Sequence, residues 1–144
     1  MRGGGGDIGI LSRLETILAE ATSRLDLLAS SRLRNWIEEL AALHALQVQA
    51  QSLLDMVMRI AAELGYAPES PEEAARTLLN EGIITEDDYN FIRRVIGFRN
   101  VIVHVYMDVD MNMVERIIEY REYHRVSLLA SKLLKKAVEK GIDP

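Results

Sequence analysis

Cysteine is absent from the 144-residue chain. That absence removes thiol catalysis, thiolate metal sites and any disulfide framework, and with a reducing compartment permitted, a cytoplasmic location is the default expectation. Long apolar runs are missing too. None reaches the roughly 18 residues that span a bilayer, and the N-terminus lacks the apolar segment of a secretory signal, so no membrane segment is expected. There is no Gly-rich phosphate loop, no G-x-S-x-G elbow and no paired-carboxylate site, which argues against an ordinary metabolic enzyme. An excess of positive charge is also lacking. The net charge is −5 and the pI is near 5.2, so any nucleic-acid contact has to be local.

The charge that is present lies unevenly. Residues 69–88 hold seven acids and the single base Arg76, whereas 89–107 hold Arg93, Arg94 and Arg99 with no acid. The second stretch is a basic island in an acidic chain. Four consecutive glycines near the N-terminus are costly to fix, so residues 1–7 are expected to form a disordered tail and residues 8–144 a single domain.

Apolar residues recur at three- and four-residue steps through Ile10, Leu14, Leu18, Ala21, Leu25 and Leu28, which predicts an amphipathic helix over about 8–29. With Ser30 and Ser31 offered as caps, a second stripe through Leu33, Trp36, Leu43, Leu54 and Val57 predicts one long rod up to Gly65, because neither Gly nor Pro interrupts 31–64. Ser70, Pro71 and Glu73 make a capping box for a short helix over 71–80, closed by Gly82. Thr85 and Asp88 repeat the device and open a fourth helix to about Val105, with a strand as the competing reading of the β-branched cluster at 101–105. Asp110 caps a last helix running to Gly141. The expectation is an all-α, up-and-down bundle of about five helices. Its long apolar rod exceeds what one small protomer covers, which points to a homodimer.

Within the fourth helix, Gly97-Phe98-Arg99-Asn100-Val101-Ile102-Val103-His104-Val105-Tyr106 sets four polar residues in an apolar stretch. Polar groups there need partners or a purpose. At about 100° per residue, Arg93, Gly97, Asn100 and His104 share one stripe, and Arg99 and Tyr106 share a neighbouring one. Arg99 is long enough to swing toward His104, so a cation, an amide and an imidazole can converge on one phosphate. Those groups suit RNA cleavage without a metal or other cofactor. The 2′-hydroxyl attacks its own phosphate, an imidazole exchanges protons near neutral pH, Arg99 stabilises the growing charge, and Asn100 orients His104 or a phosphate oxygen. The same residues also permit a purely structural reading, with Arg99 in an interhelical salt bridge, His104 half-buried and satisfied, and Tyr106 at a core edge. His44 and His124 fall on other helices as ordinary helix and solvated-face residues, and no ligand partner sits at i+3 or i+4 from His104, so no metal site is expected.

The Arg99-Asn100-x3-His104-x-Tyr106 string resembles the R-x4-H-x-Y signature of the HepT subgroup of HEPN proteins. Gly97-Phe98, Leu46-Gln47-Val48, Asp55, the Ala62-Glu63-Leu64-Gly65 ending and the capped third helix extend that resemblance over most of the chain from about residue 31. The resemblance implies a HEPN-like helical homodimer whose two motifs face each other to form an RNase cleft, with Arg99 and His104 catalytic and Asn100 and Asp55 supporting. It further implies the toxin of a toxin–antitoxin pair, whose antitoxin is a minimal nucleotidyltransferase of the MntA type that transfers AMP to the motif tyrosine, here Tyr106. A bulky anionic adduct there would fill the cleft and repel an RNA phosphate. Ala45 and Gln51 depart from the polar or acidic residues of relatives, so support behind the motif is open at those positions. The rival readings are a catalytically silent helical dimer that binds the nucleotidyltransferase or a nucleotide, and a plain helical scaffold.

Overall fold

A computed structural model of the chain describes residues 9–31, 35–104 and 110–144, apart from the side chains of Ser31, Val103 and His104. The tail expected at 1–7 lies outside the described residues. The described residues form six helices: α1 (Ile10–Ser31), α2 (Trp36–Glu63), α3 (Pro71–Asn80), α4 (Glu86–His104), α5 (Met111–Glu119) and α6 (His124–Glu139). None is long and apolar enough to cross a membrane.

The long rod α2 is the hub and packs against each of the other five helices. It can do so because it is apolar on nearly every side: Leu43, Leu46, Leu53, Leu54, Val57 and Ile60 are all buried. Leu11, Leu18 and Leu25 of α1, spaced by seven residues, are buried with them. Each fully buried leucine or isoleucine contributes about 1.5–3 kcal/mol relative to exposure. The core divides into one cluster around Leu54, Leu78, Ile92 and Leu133 and another around Leu25, Leu43, Ile102, Val114 and Tyr123, and half-buried Phe98 touches both.

Local chemistry fixes most helix ends. Ser70 accepts a hydrogen bond from the Glu73 amide at 3.1 Å, and Thr85 and Asp88 bond each other's backbone amides at 3.1 and 3.2 Å, so both expected capping devices are present. Gly65, Gly82 and Gly141 take positive φ where helices stop. The start of α2 differs from the expectation. Ser30 donates to the Leu27 carbonyl inside α1, and Asn35 is the cap, accepting from the Glu38 amide at 2.9 Å. Asn35 was within reach of sequence reasoning, since an Asn with Glu38 and Glu39 in the following turn satisfies the same capping chemistry.

The bundle also has six helices rather than five, because the expected last helix breaks between Glu119 and His124, where Arg121 adopts φ 53°. No Gly or Pro marks this corner; the signal is that no aliphatic residue occurs between Ile118 and Val126, so the apolar stripe restarts there. Side chains hold the corner instead. Buried Tyr123 donates its hydroxyl to Asp26 Oδ1 at 2.6 Å, and the same oxygen receives Arg121 at 3.0 Å and His124 Nε2 at 2.7 Å. His124 is thus exposed but tied to a carboxylate, where only a solvated face was expected. The Tyr123 carbonyl accepts from Gln49 Nε2 at 3.0 Å. Burial alone would raise the Asp26 carboxyl, but the bonds from Tyr123 and His124 and the nearby charges of His124 and Arg121 hold it below its usual range. Burial and the Asp26 carboxylate together push the Tyr123 phenol up to about 12.

Candidate active site

Helix α4 runs unbroken through 101–104, so the strand reading of its β-branched cluster does not hold. Tertiary packing decides this, because Ile102 is buried in the second core cluster. The helical phase leaves Arg93, Gly97 and Asn100 exposed on one stripe, as the spacing predicts. His104 is the last residue of α4, its side chain outside the described residues, and Tyr106 lies wholly outside them.

The three arginines of the basic island have different settings. Arg93 pairs with Glu72 at 3.4 Å. Arg94 lies over the Phe91 ring, 5.4 Å from its centroid. Arg99, half-buried between α4 and α2, forms no salt bridge among the described residues. Its Nε donates to Asn100 Oδ1 at 3.0 Å and its Nη1 donates to Gln51 Oε1 at 3.2 Å. Gln51 in turn donates through Nε2 to Asp55 Oδ1 at 2.8 Å. The result is a relay on α2 ending on the guanidinium of α4.

This arrangement partly redraws the roles expected from sequence. Asn100 does hold a neighbouring polar group, and that group is Arg99. Asp55 reaches Arg99 only through Gln51. Gln51, a departure at which support behind the motif was open, is the residue that grips the arginine. The available signal was spacing: Gln51 and Asp55 are four apart on α2, one turn beyond Gln47, and so share the stripe that α2 leaves open. Ala45 is buried in the core and contacts no part of the relay.

A guanidinium held by two neutral amide oxygens is not neutralised by them and has N–H groups left over, which suits a phosphate. Gly97, two residues earlier, is exposed, and a Cβ built on it would meet nothing within 4 Å. Among the described residues no group of three or more His, Asp or Glu could hold a metal ion. A band of exposed apolar side chains, Leu27, Trp36, Ile37 and Leu40, lies along α1 and the start of α2, with Trp36 68% exposed.

Comparison with known proteins bears on the fold and the family. The solved structure of YutE, a cytosolic protein of unknown function from Bacillus subtilis, superposes with a TM-score of 0.69 at 21% identity, covering 92% of this chain and 93% of that one. It shares the six-helix fold. A protein of Archaeoglobus fulgidus named "Putative RNase" is 29% identical over 102 residues, covering 70% of this chain and 75% of its own length. The family model described as Ribonuclease HepT-like matches residues 11–140, which include all six helices but for the first residue of α1 and take in the Arg99 relay, and the chain therefore belongs to the Ribonuclease HepT-like family.

Proposed function

We propose that the chain is a metal-independent endoribonuclease acting as a homodimer, the toxin of a toxin–antitoxin pair, with Arg99 and His104 catalytic and Asn100 and Asp55 supporting. The family description and the name of the Archaeoglobus fulgidus relative support the ribonuclease class. The observation that carries the residue-level reading is the Arg99 setting: two neutral amides fix the guanidinium, and no carboxylate among the described residues neutralises it.

In the proposed reaction the 2′-hydroxyl oxygen bonds to the adjacent phosphorus while the bond from phosphorus to the 5′-oxygen breaks. An imidazole takes the hydroxyl proton, and the leaving 5′-oxygen gains one. Arg99 stabilises the charge on the non-bridging oxygens, worth about 3–4 kcal/mol by analogy with a single oxyanion donor. The products are a 2′,3′-cyclic phosphate and a 5′-hydroxyl end.

In the dimer a second copy covers the exposed apolar side chains of Leu27, Trp36, Ile37 and Leu40. Tyr106, two residues after His104 in the sequence, receives AMP from a minimal nucleotidyltransferase antitoxin, and the added phosphate occupies Arg99 in place of RNA.

Purified protein in EDTA should cut single-stranded RNA to ends carrying cyclic phosphate, and Arg99→Ala and His104→Ala should each slow cutting by about two to three orders of magnitude. Cutting at the parent rate by both variants would end the assignment. Intact mass after co-expression with the nucleotidyltransferase, against Tyr106→Phe, tests the modification.

A further inference from the structure

Helix α4 packs on α2 and α3 far more extensively than on α5 or α6, and the space left between them is a cleft of about 270 Å3. Its walls include Phe91, Phe98 and Val95 from α4, Met113, Arg116 and Ile117 from α5, and Gln49 from α2. The geometry points to a subsite that binds one unpaired base of a single-stranded RNA, with that nucleotide's phosphate on Arg94 and Arg116. This inference rests on the ribonuclease reading of the Arg99 site, since it extends the same substrate beyond the scissile bond.

Four features carry it. The volume admits a nucleobase, and the walls pair half-buried Phe91 and Phe98 with aliphatic side chains, the surroundings in which proteins stack unpaired bases. Arg94 and Arg116 line the same cleft, both are exposed, and neither has an ion-pair partner among the described residues, although the chain as a whole is acidic. Polar groups are present to read a base edge. Gln49 is 1% exposed and spends its amide hydrogens on Thr22 Oγ1 and the Tyr123 carbonyl, while no donor among the described residues meets its carbonyl oxygen. Glu122 supplies a carboxylate, the group that accepts from an amino N–H of a base. Finally, Phe98 immediately precedes Arg99, so the cleft and the relay lie on two flanks of one helical turn. Exposed Gly97 lies between them on the open side, a low saddle for a strand crossing α4.

The test uses full-length protein carrying Arg94→Gln, Arg116→Gln or Met113→Trp, the last filling the cleft without changing charge. Binding of a fluorescent RNA dodecamer is measured by anisotropy in the His104→Ala background, so that nothing is cut, and cleavage of a dinucleotide is measured in the parent background. Each variant is expected to weaken dodecamer binding roughly tenfold. Each arginine variant should also reduce the salt dependence of binding by about 0.7 in log–log slope. Dinucleotide cleavage should stay at the parent rate, because a dinucleotide has one phosphate, the scissile one, and none left for Arg94 and Arg116. Dodecamer affinity within twofold of the parent for all three variants overturns the subsite, and so does loss of nucleotidyltransferase binding with RNA binding intact, which would make the cleft a protein-docking groove. A parent protein that cuts no RNA sinks the catalytic reading of Arg99 and His104, and the anisotropy comparison then still decides the cleft.

Discussion

Arg99 Nη1 donates to Gln51 Oε1 at 3.2 Å across 48 residues of sequence, joining the motif helix to the central rod through a neutral acceptor. The neutrality matters more than the bond strength. A carbonyl oxygen orients a guanidinium without cancelling its charge, whereas a carboxylate at the same place would compete with the phosphate for it.

Gln51→Glu and Gln51→Leu should therefore fail differently. The glutamate variant should keep Arg99 in place but weaken RNA binding several-fold, while the leucine variant should lower kcat roughly tenfold by releasing the side chain. Steady-state cleavage kinetics separate the two. Equal losses in kcat and in affinity from both would show that Gln51 has no positioning role.

Arg99→Lys should behave almost as poorly as Arg99→Ala, because an ammonium that bonds Asn100 and Gln51 has a single donor left and lacks the planar fork that grips a phosphate. A loss of about two orders of magnitude in kcat/KM is expected. Near-parent activity of the lysine variant would mean that only charge is needed.

Leu40→Glu places a charge in the exposed apolar band of α2. Sedimentation should show a monomer in place of the dimer, and cleavage should fall with the dimer fraction. A monomeric parent, or an active monomeric variant, would refute the shared-cleft arrangement.

Asp88 accepts from Thr85 and pairs with Lys132, and those partners outweigh the burial that would raise its carboxyl and hold it below the usual range. Asp26 is lowered in the same way. A depressed folded-state value means that the stabilisation is complete above the unfolded pKa, near ~3.9, and is lost as pH falls through the folded values. Asp88→Asn should thus cost about 1 kcal/mol at pH 7, a few degrees in Tm, with the difference from the parent closing below about pH 4. Tyr123 runs the other way. Its raised value, about 12, means that its contribution is complete below about pH 10 and fades as pH climbs through 12. In a tyrosine ultraviolet titration the last phenol to ionise should vanish in Tyr123→Phe.

Much of the fold was legible in the residues because its signals are local. The boxes at Ser70 and Thr85, the glycines at 65, 82 and 141, and the seven-residue spacing of Leu11, Leu18 and Leu25 each specify a backbone state within one or two turns. The corner at 120–123 was not legible in that way. It is held by Tyr123, Arg121 and His124 meeting Asp26, nearly a hundred residues earlier, and near Arg121 only the aliphatic gap between Ile118 and Val126 marks the bend. The candidate site divides likewise. The stripe of Arg93, Gly97 and Asn100 follows from helical phase alone, but the grip of Gln51 on Arg99 depends on how α2 and α4 cross. The parts expected of His104 and Tyr106 rest on side chains beyond the described residues.

Gly97 carries a consequence for the energetics of α4. A glycine in an exposed helix interior forfeits roughly 0.5–1 kcal/mol relative to alanine, and nothing in this protomer would obstruct the added methyl group. Gly97→Ala should accordingly give a firmer, slightly more heat-resistant protein. Any loss of nuclease turnover that accompanies the gain would then be a measure of how closely another molecule approaches the helix at that point.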